Sequence, residues 1–358
     1  MDIHEATRSY EDWMRGCTTI VEPHLRFKHR QMREDPFLFF RGTFYRWAQL
    51  WPKVCANLSD APKVMCVGDL HVGSFGTWRD SEGRLCWGVT DFDESHPFAY
   101  TNDLVRLASS VKMQIDSEGL GIKLRDACDA ILAGYQESIK KAGCPLVLAE
   151  HESNLEKVGI AELKTPQDFW EKLNQHRTIQ NRIPREAKHA LEEMLPERNL
   201  QYRIIQREAG VGSLGQQRFV AIAMWRGGFI AREAKAMVPS AFVWLNGHSS
   251  RRQSDYQKVL ERAVRCHDPY QKIVGSWLIR RLSPDSNTIH VDDWPAKRDD
   301  EALLHAMGSE AANVHLGGKP SVRLLLRDLR RRKANWLRSA AKEMAKLMER
   351  EWKNYWKS

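Results

Sequence analysis

The chain has 358 residues, 42% of them hydrophobic and 28% charged, a composition that excludes an intrinsically disordered protein. No run approaches the roughly 20 apolar residues of a membrane span, and the polar, acidic N-terminus is unlike a secretory signal. We therefore expect a soluble cytoplasmic protein, either one large two-lobed domain or two ordinary ones. Seven scattered cysteines without a C-x-x-C pair argue against a disulfide framework or a zinc site.

The positive charge is concentrated at the C-terminus. The net charge is +9, and residues 321–358 carry +8 of it, with seven Arg and five Lys against one Asp and three Glu. Apolar residues in this tail recur at steps of three and four from Val322 to Trp352, which predicts an amphipathic helix that packs on the rest of the protein. The alternative is a basic helix that binds nucleic acid, an anionic membrane or a partner's groove.

The first part of the chain is predicted to be mainly helical with two short strands. Residues 37–58 form a predicted helix that must end or kink near Pro52. KVMCVGD (63–69) has the length of a buried strand, and RLCWGVTDFD (84–93) predicts a second one after a turn at DSEG (80–83). Asn102 is a candidate helix cap. Residues 121–195 are predicted to be largely helical, with breaks at Gly-Cys-Pro (143–145) and Thr-Pro (165–166).

The pattern changes near residue 200. YRIIQREAG, QRFVAIAMW and FIAREAKAM are rich in β formers and are separated by glycine clusters, which is typical of a β-meander. A helix at 253–266, a strand at 277–282 and helices at about 299–315 and 320–356 are predicted to follow. Helices, then strands, then helices indicate an α+β class with a small sheet-rich lobe.

Two of the predicted strands end in acidic loops. The first runs into Gly68-Asp69, and the second runs into Thr90-Asp91. Strand ends of this kind can bring two carboxylates to one rim of a sheet. Magnesium favours one or two carboxylates plus phosphate oxygens and water, and a carboxylate without metal can accept a proton from a hydroxyl nucleophile. Either segment alone could be an ordinary acidic turn, but the two together suggest a site.

A glycine-rich loop follows in the β region. Gly210, Gly212 and Gly215, with Ser213 between them, match G-x-G-x-x-G. A dinucleotide-binding motif needs a helix after the third glycine, whereas here β formers follow. Strand, glycine loop and strand is the kinase arrangement, in which backbone amides approach phosphate oxygens; a plain hairpin turn is the alternative.

A kinase also needs a cation on the strand after the glycine loop. FIAREAKAM offers Arg232 and Lys235, which would point to opposite faces of a strand, so only one can face the cleft.

The acidic motifs resemble those of a known superfamily. GDLHVGS followed by RLCWGVTDFDES resembles the catalytic loop and the metal loop of the aminoglycoside and choline phosphotransferases, which are protein-kinase-like. The resemblance implies that Asp69 is the catalytic base, with His71 in the same loop. It also implies that Asp91 binds the metal with Asp93 close by, and that ATP and Mg²⁺ are the cofactors.

Two further residues follow from the same resemblance. Ser74 stands where the family has asparagine as a second metal ligand, and a hydroxyl is a shorter and weaker ligand. Asp103 would be the buried aspartate that braces the catalytic loop.

The order of the motifs is reversed relative to an ordinary kinase, where the glycine loop comes first. LLHAMGSEAANVH (303–315) resembles the helix that directly precedes the catalytic loop in aminoglycoside phosphotransferases, so a circular permutation would explain the order. The blocks PF-x-FFRG (36–42), GD-x-H, DFDE and VGS-x-G in this order are similar to domain of unknown function 2252, a bacterial family, over roughly residues 30–320.

We therefore expect a circularly permuted, two-lobed, protein-kinase-like α+β fold. An α-rich lobe would span residues 1–198, a β-rich lobe with the glycine loop 199–285, and helices that close on the α-rich lobe 286–358. The predicted function is ATP- and Mg-dependent phosphoryl transfer to an unknown hydroxyl or amine of a small molecule or protein. A nucleotide-binding pseudokinase and a nucleotidyl transferase are the alternatives, and nucleic-acid binding by the basic tail stays open.

Overall fold

The computed structural model describes residues 1–117, 119–148, 165–179, 183–247, 254–286 and 299–356. The helices of the first half are α1 (Ile3–Cys17), α2 (Glu22–Glu34), α3 (Pro36–Gly42), α4 (Phe44–Val54), α5 (Ala56–Ser59), α6 (Tyr100–Asp116), α7 (Leu124–Lys140), α8 (Pro166–Asn174) and α9 (Arg185–Glu193). Its strands are β1 (Lys63–Cys66), β2 (Phe75–Arg79), β3 (Leu85–Val89), β4 (His96–Ala99) and β5 (Leu146–Val147).

The second half holds the largest sheet and the closing helices. Its strands are β6 (Tyr202–Gln206), β7 (Arg218–Trp225), β8 (Gly228–Ala236), β9 (Lys272–Val274) and β10 (Trp277–Leu282). Its helices are α10 (Ala241–Leu245), α11 (Tyr256–Arg262), α12 (Asp300–Leu316), α13 (Val322–Arg331) and α14 (Trp336–Trp356). Among the described residues, no helix is long and apolar enough to span a bilayer.

Three small antiparallel sheets are present in the described parts of the chain, so the mixed α/β class is confirmed. β1 pairs with β4, and β2, β3 and β5 form a second sheet in that order. The third has the order β6-β7-β8-β10-β9, and its first three strands are the predicted meander. One face packs on Ala187, Ala190 and Leu191 of α9.

The opposite face of this five-stranded sheet is divided. Its outer end packs against α8 through Leu173. The other end carries charges, because register places Arg218 opposite Lys235, and Glu233 opposite Arg280. Residues directly opposite one another in antiparallel strands share a face. These charged residues therefore point together, into the space between the sheet and the helices.

The predicted helix over 37–58 is three helices. It is interrupted where the backbone leaves helical geometry, at Thr43 (φ −124°, ψ 40°) and at Cys55 (φ −108°, ψ 37°). The second helix ends at Val54, two residues beyond Pro52, as the proline led us to expect. The prediction that Asn102 caps a helix is wrong: α6 begins at Tyr100, and the buried Asn102 amide instead accepts from the indole N–H of Trp47 at 3.0 Å.

Several strand and helix bounds also differ from the predictions. The strand predicted over 63–69 ends at Cys66, and the one over 84–93 occupies only Leu85–Val89. The helix predicted over 253–266 is described only as the seven residues of α11. The long helix predicted over 320–356 is broken at Arg332, where the backbone is extended (φ −75°, ψ 146°).

The packing of the tail is confirmed. Leu337, Ala341, Met344 and Met348 of α14 are each less than 2% exposed and belong to the main apolar core. The helix lies along α6, where the Ser109 hydroxyl donates to the carbonyl of Ala341 at 3.3 Å. The apolar stripe of the basic tail is thus part of the fold.

Candidate functional site

The loop after β1 is held by a buried carboxylate. Asp103, fully buried in α6, accepts from the backbone N–H of Val67 at 2.6 Å and of Gly68 at 3.0 Å. The carboxylate also lies 3.0 Å from Nε2 of the equally buried His315, at the end of α12. The hydroxyl oxygen of Tyr135 lies 2.8 Å from the other ring nitrogen of His315, Nδ1, within hydrogen-bond distance. The contact expected between Asp103 and the loop is therefore present.

Gly68 fixes how the two acidic loops approach each other. Its φ is +84°, and a Cβ placed on it would lie only 2.3 Å from the carbonyl oxygen of Glu94. A side chain here would meet both strain and a backbone clash. The loop that begins at Asp69 therefore packs, backbone against backbone, on the loop that contains Asp91 and Asp93.

Asp69 is paired with a buried arginine. The Nε of Arg106 donates to Oδ1 of Asp69 at 2.7 Å, and another guanidinium nitrogen donates to the carbonyl of Phe40 at 2.9 Å. Arg106 is 0% exposed, and its guanidinium lies 4.0–5.0 Å from the ring centroids of Phe40, Phe44 and Trp47. Burial raises the pKa of Asp69, and the charge of Arg106 offsets only part of that rise.

His71 and Ser74 close the loop on itself. Nδ1 of His71 accepts from the backbone N–H of Gly73 at 3.0 Å, so a neutral ring carries its proton on Nε2. The Ser74 hydroxyl accepts from the N–H of His71 at 3.0 Å and donates to the carbonyl of Asp69 at 3.1 Å. Both side chains therefore hold the backbone that carries Asp69.

The second acidic loop faces the sheet. Asp91 is exposed to solvent in the cleft, and its Oδ1 accepts from the backbone N–H of Asp93 at 3.1 Å. Asp93 forms an ion pair with Lys235 of β8. Its other oxygen, Oδ1, is buried and has no hydrogen-bond partner within the described residues.

The two carboxylates of this loop have opposite pKa shifts. Although the side chain of Asp91 is open to solvent, the protein around it removes part of its water and opposes ionisation; the Lys235 ammonium and the Asp93 N–H outweigh this effect, so the pKa of Asp91 is lowered. Burial and the neighbouring charge of Asp91 raise the pKa of Asp93. Two neighbouring carboxylates can both stay ionised only if positive charge lies beside them, and Lys235 supplies part of that charge.

Three arginines surround one glutamate on the sheet. Glu233, which is fully buried, accepts from Arg207 at 2.8 Å, Arg218 at 3.1 Å and Arg280 at 2.6 Å. Although burial opposes ionisation, these arginines hold the pKa of Glu233 well below its usual range. Three guanidinium groups against one carboxylate leave an excess of positive charge beside Lys235.

The glycine-rich loop lies over the carboxylate of Asp69. Gly210 has a φ of +71°, and a 3₁₀ turn, Val211–Ser213, follows it. Lys28 donates to the carbonyl of Gly212 at 3.1 Å, and Arg218 donates to the Ser213 hydroxyl. A Cβ placed on Gly212 would lie 4.0 Å from Oδ2 of Asp69. The loop therefore leaves little more than the width of one atom above Asp69 at this point.

Most of the predicted residues meet at one cavity of about 260 Å³, the carboxylate cavity. Those that line it are Asp69, His71, Ser74, Asp91, Asp93, Gly210, Gly212, Ser213 and Lys235. Gly215 lies behind the loop, where its carbonyl accepts from the N–H of Val21 at 2.7 Å.

The two candidate cations of β8 lie on opposite faces of the sheet. Lys235 lines the carboxylate cavity. Arg232 instead donates to the carbonyl of Met194 at 3.0 Å, and its guanidinium lies 4.3 Å from the ring centroid of Tyr270. Lys235 is therefore the member of the pair that faces Asp93.

The first half of the chain matches a family model. The model of a family described as "Uncharacterized protein conserved in bacteria (DUF2252)" matches residues 21–199, half of the chain. The chain belongs to this family. The DUF2252 match contains Asp69, Asp91 and Asp93 and ends just before β6. No curated protein matches the chain, and no solved structure does.

Several residues of this candidate site were not singled out from the sequence. Arg106 follows Asp103 by three positions, a spacing that places both on one side of a helix and could have indicated a second buried charge. Arg218 begins the otherwise apolar β7, and Arg280 lies beside Arg281 in a strand whose other residues are apolar; charged residues in such strands are a sign of a polar partner on that face. Arg41 is the arginine of the PF-x-FFRG block, and its long-range contacts leave no mark in the sequence.

Proposed function

We propose that this protein is an ATP- and Mg-dependent phosphotransferase that acts on a hydroxyl or amine, built as a circularly permuted kinase-like fold. The observation that carries the proposal is the convergence of residues 69–93 and 210–235 on the carboxylate cavity. Acidic loop, cation and glycine loop are the parts that phosphoryl transfer requires, and they come from distant parts of the chain.

The position of α12 supports the permutation. This helix ends beside β1, since a Cβ on Gly318 would lie 3.3 Å from the backbone nitrogen of Met65. A direct connection from α12 to β1 would restore the order of an ordinary kinase, in which a helix of this kind leads into the catalytic loop. In this protein α12 also ends beside β1, although it follows the five-stranded sheet in the sequence.

The residues of the cavity fit a nucleotide phosphate and a metal ion. Oδ1 of Asp93 and Nε of Arg218 are both buried and lack hydrogen-bond partners within the described residues, and Asp91 is exposed in the same cleft. Asp91 and Asp93 would hold Mg²⁺, and Lys235 with Arg218 would hold phosphate oxygens. Bound there, Mg²⁺ would neutralise charge on the transferred group.

Asp69 is suited to act as the base. Burial raises its pKa toward the working range of a general base, while Arg106 keeps the carboxylate oriented. In the proposed reaction the acceptor oxygen or nitrogen forms a bond to the γ-phosphorus. The bond from that phosphorus to the β–γ bridging oxygen breaks, ADP leaves, and the acceptor's proton passes to Asp69.

One observation favours a second candidate, a nucleotide-binding pseudokinase. Ser74 occupies the position where the resembling phosphotransferases have a metal-binding asparagine, and its hydroxyl is engaged with Asp69 and His71 within its own loop. If that hydroxyl does not turn to a metal, the site would hold one ion fewer. Binding would then persist without turnover.

Labelled ATP separates these functions. The protein is incubated with Mg²⁺ and either α- or γ-labelled ATP together with a bacterial metabolite extract, and labelled products are resolved by chromatography. Transfer of the γ-label supports a phosphotransferase, transfer of the α-label a nucleotidyl transferase, and binding without transfer a pseudokinase.

Two variants test the assigned roles. Asp91→Asn should weaken Mg-ATP binding in a calorimetric titration, because the carboxylate reaches phosphate through the ion. Asp69→Asn should leave that affinity within about twofold and abolish transfer, because a base acts in the transition state. Unchanged affinity in Asp91→Asn would remove Asp91 from the site.

A further inference from the structure

A second cavity of about 580 Å³ adjoins the carboxylate cavity. We name it the side cavity. Its walls come from α2, α3, the end of α6 and the segment 208–214, which includes the start of the glycine loop. The two cavities share Arg41, Gly73, Ala209 and Gly210 as lining residues, so they meet there. Its volume is within the roughly 300–1,000 Å³ of ordinary small-molecule sites.

The walls of the side cavity are mainly apolar. The apolar lining residues are Phe27, Pro36, Phe37, Leu38, Met113, Val211 and Leu214. Two amides, Gln31 and Gln114, add hydrogen-bonding groups. Its two carboxylates are already engaged: Asp35 accepts from the N–H of Leu38 at 2.6 Å, and Glu208 lies 2.7 Å from His24. Such walls suit an apolar body with one or two polar groups, and they disfavour a polyanion.

Arg41 stands where the cavities meet. Its Nε is buried and has no hydrogen-bond partner within the described parts of the chain. The guanidinium carbon would lie 3.8 Å from a Cβ on Gly73, and it lies 6.0 Å from the ring centroid of Phe37. An arginine with an unused donor, between Asp69 and an apolar cavity, can contact an oxyanion that passes between them.

We infer that the side cavity binds the acceptor, a small alcohol with an apolar body, and that Arg41 contacts the phosphoryl group during transfer. The inference rests on the proposed function and names its substrate class. The hydroxyl of such an alcohol points through the junction toward Asp69, while its body stays among α2, α3 and α6. The PF-x-FFRG block thereby supplies Pro36, Phe37 and Arg41 to the acceptor site.

The acceptor test uses two defined probes, 2-phenylethanol and 2-cyclohexylethanol, observed by saturation-transfer NMR on the full chain. Met113→Trp fills the side cavity from the wall formed by α6, and Leu38→Trp fills it from α3. Met224→Trp is the matched control, because this methionine is 52% exposed on β7 and lies outside both cavity linings. Melting curves establish that each variant is folded.

Both alcohols should give saturation transfer with the wild type and with Met224→Trp, and each of the two cavity-filling variants that folds should lose it. The affinity of Mg-ATP should change by less than about twofold in all of these variants, because the carboxylate cavity is untouched. Absence of a signal in the wild type, or full retention in a folded cavity-filling variant, would overturn the acceptor assignment. Failure of the wild type to bind Mg-ATP would instead refute the proposed function, whatever the alcohols do.

The Arg41 assignment has its own test. Mg-ADP with aluminium fluoride mimics the transferred group, and Mg-ADP alone does not. Arg41→Met should weaken binding of the aluminium fluoride complex by at least about tenfold, a loss of about 1.4 kcal/mol, and should leave Mg-ADP unchanged. Equal effects on the two complexes, or no effect on either, would overturn the role of Arg41 in transfer.

Discussion

The Asp69–Arg106 pair should contribute to stability as well as to chemistry, and Asp69→Asn tests both. The substitution keeps the shape of the side chain but removes the charge that faces a guanidinium with 0% exposure. Breaking a buried ion pair by removing one partner costs about 3–5 kcal/mol. Burial itself opposes the Asp69 carboxylate and raises its pKa, and the side chain is 20% exposed, so the loss comes from the uncompensated charge of Arg106 and we expect the lower end, about 3 kcal/mol.

The corresponding change in melting temperature follows from chain length. An unfolding entropy of about 2.1 cal/mol/K per residue gives 358 residues about 0.75 kcal/mol/K, so Asp69→Asn should lower Tm by about 4 °C. Scanning calorimetry measures this directly. Arg106→Met in the Asp69→Asn background removes the orphaned charge, so the double variant should be more stable than the sum of the two single losses predicts.

A second buried pair supplies the control. Arg46 and Glu351 are each 9% exposed in their side chains and 2.7 Å apart, away from the carboxylate cavity. Glu351→Gln should lower Tm by a similar amount and keep phosphoryl transfer, whereas Asp69→Asn should both lower Tm and abolish transfer. An Asp69→Asn variant as stable as the wild type, or strictly additive losses in the cycle, would refute the reasoning about the buried charge.

Three other predictions concern the sheet, a buried glutamate and the tail. Lys235→Ala should raise the Kd of Mg-ATP in calorimetry at least tenfold, while Arg232→Ala, on the opposite face, should leave it unchanged; the reverse result would place Arg232 in the site. Burial raises the pKa of Glu310 to about 7, so its contribution to stability is present below its ordinary pKa near 4.5 and is lost as pH rises toward 7. Between pH 4.5 and 7, Glu310→Gln should remove about 3 kcal/mol of this pH dependence from the unfolding free energy, and parallel curves for variant and wild type would contradict it. Removing residues 321–358 should make the chain aggregate, because α14 is part of the core; a truncated protein that stays monomeric with an unchanged Tm would show otherwise.

The parts of the fold that sequence predicted well are those with a strong local pattern. The three β runs after residue 200 contain β formers over five to nine residues, and they became β6, β7 and β8. The tail also carried a long apolar stripe, which indicated the burial of Met344 and Met348. These patterns are periodic, and burial of one face determines them.

Other elements depend on contacts with distant residues and left little local pattern. β2 lies inside the glycine-rich stretch after Asp69 and exists because it pairs with β3. β1 ends early because the carboxylate of Asp103 takes the N–H groups of Val67 and Gly68, which a longer strand would have used in its ladder. Neither tertiary contact could be read from the residues of the strand itself.

The candidate site shows the same division. Asp69, Asp91 and the glycine loop occur in short motifs with characteristic spacing, so a resemblance could find them. The choice between Arg232 and Lys235 depended on the register of β8 against β10, which single-sequence patterns do not fix. Arg41 and Arg106 belong to the site through helices that come together only in the folded chain.

The contact between Asp103 and His315 has a consequence for biosynthesis. The two residues are 212 positions apart, so a ribosome that adds about 5–20 residues per second makes His315 roughly 10–40 s after Asp103. Throughout that interval the nascent chain carries Asp103 and the acidic loops without the His315 partner that α12 supplies. We expect this long window to demand chaperone protection, and the loop that Asp103 holds to take its final position only after α12 has been made.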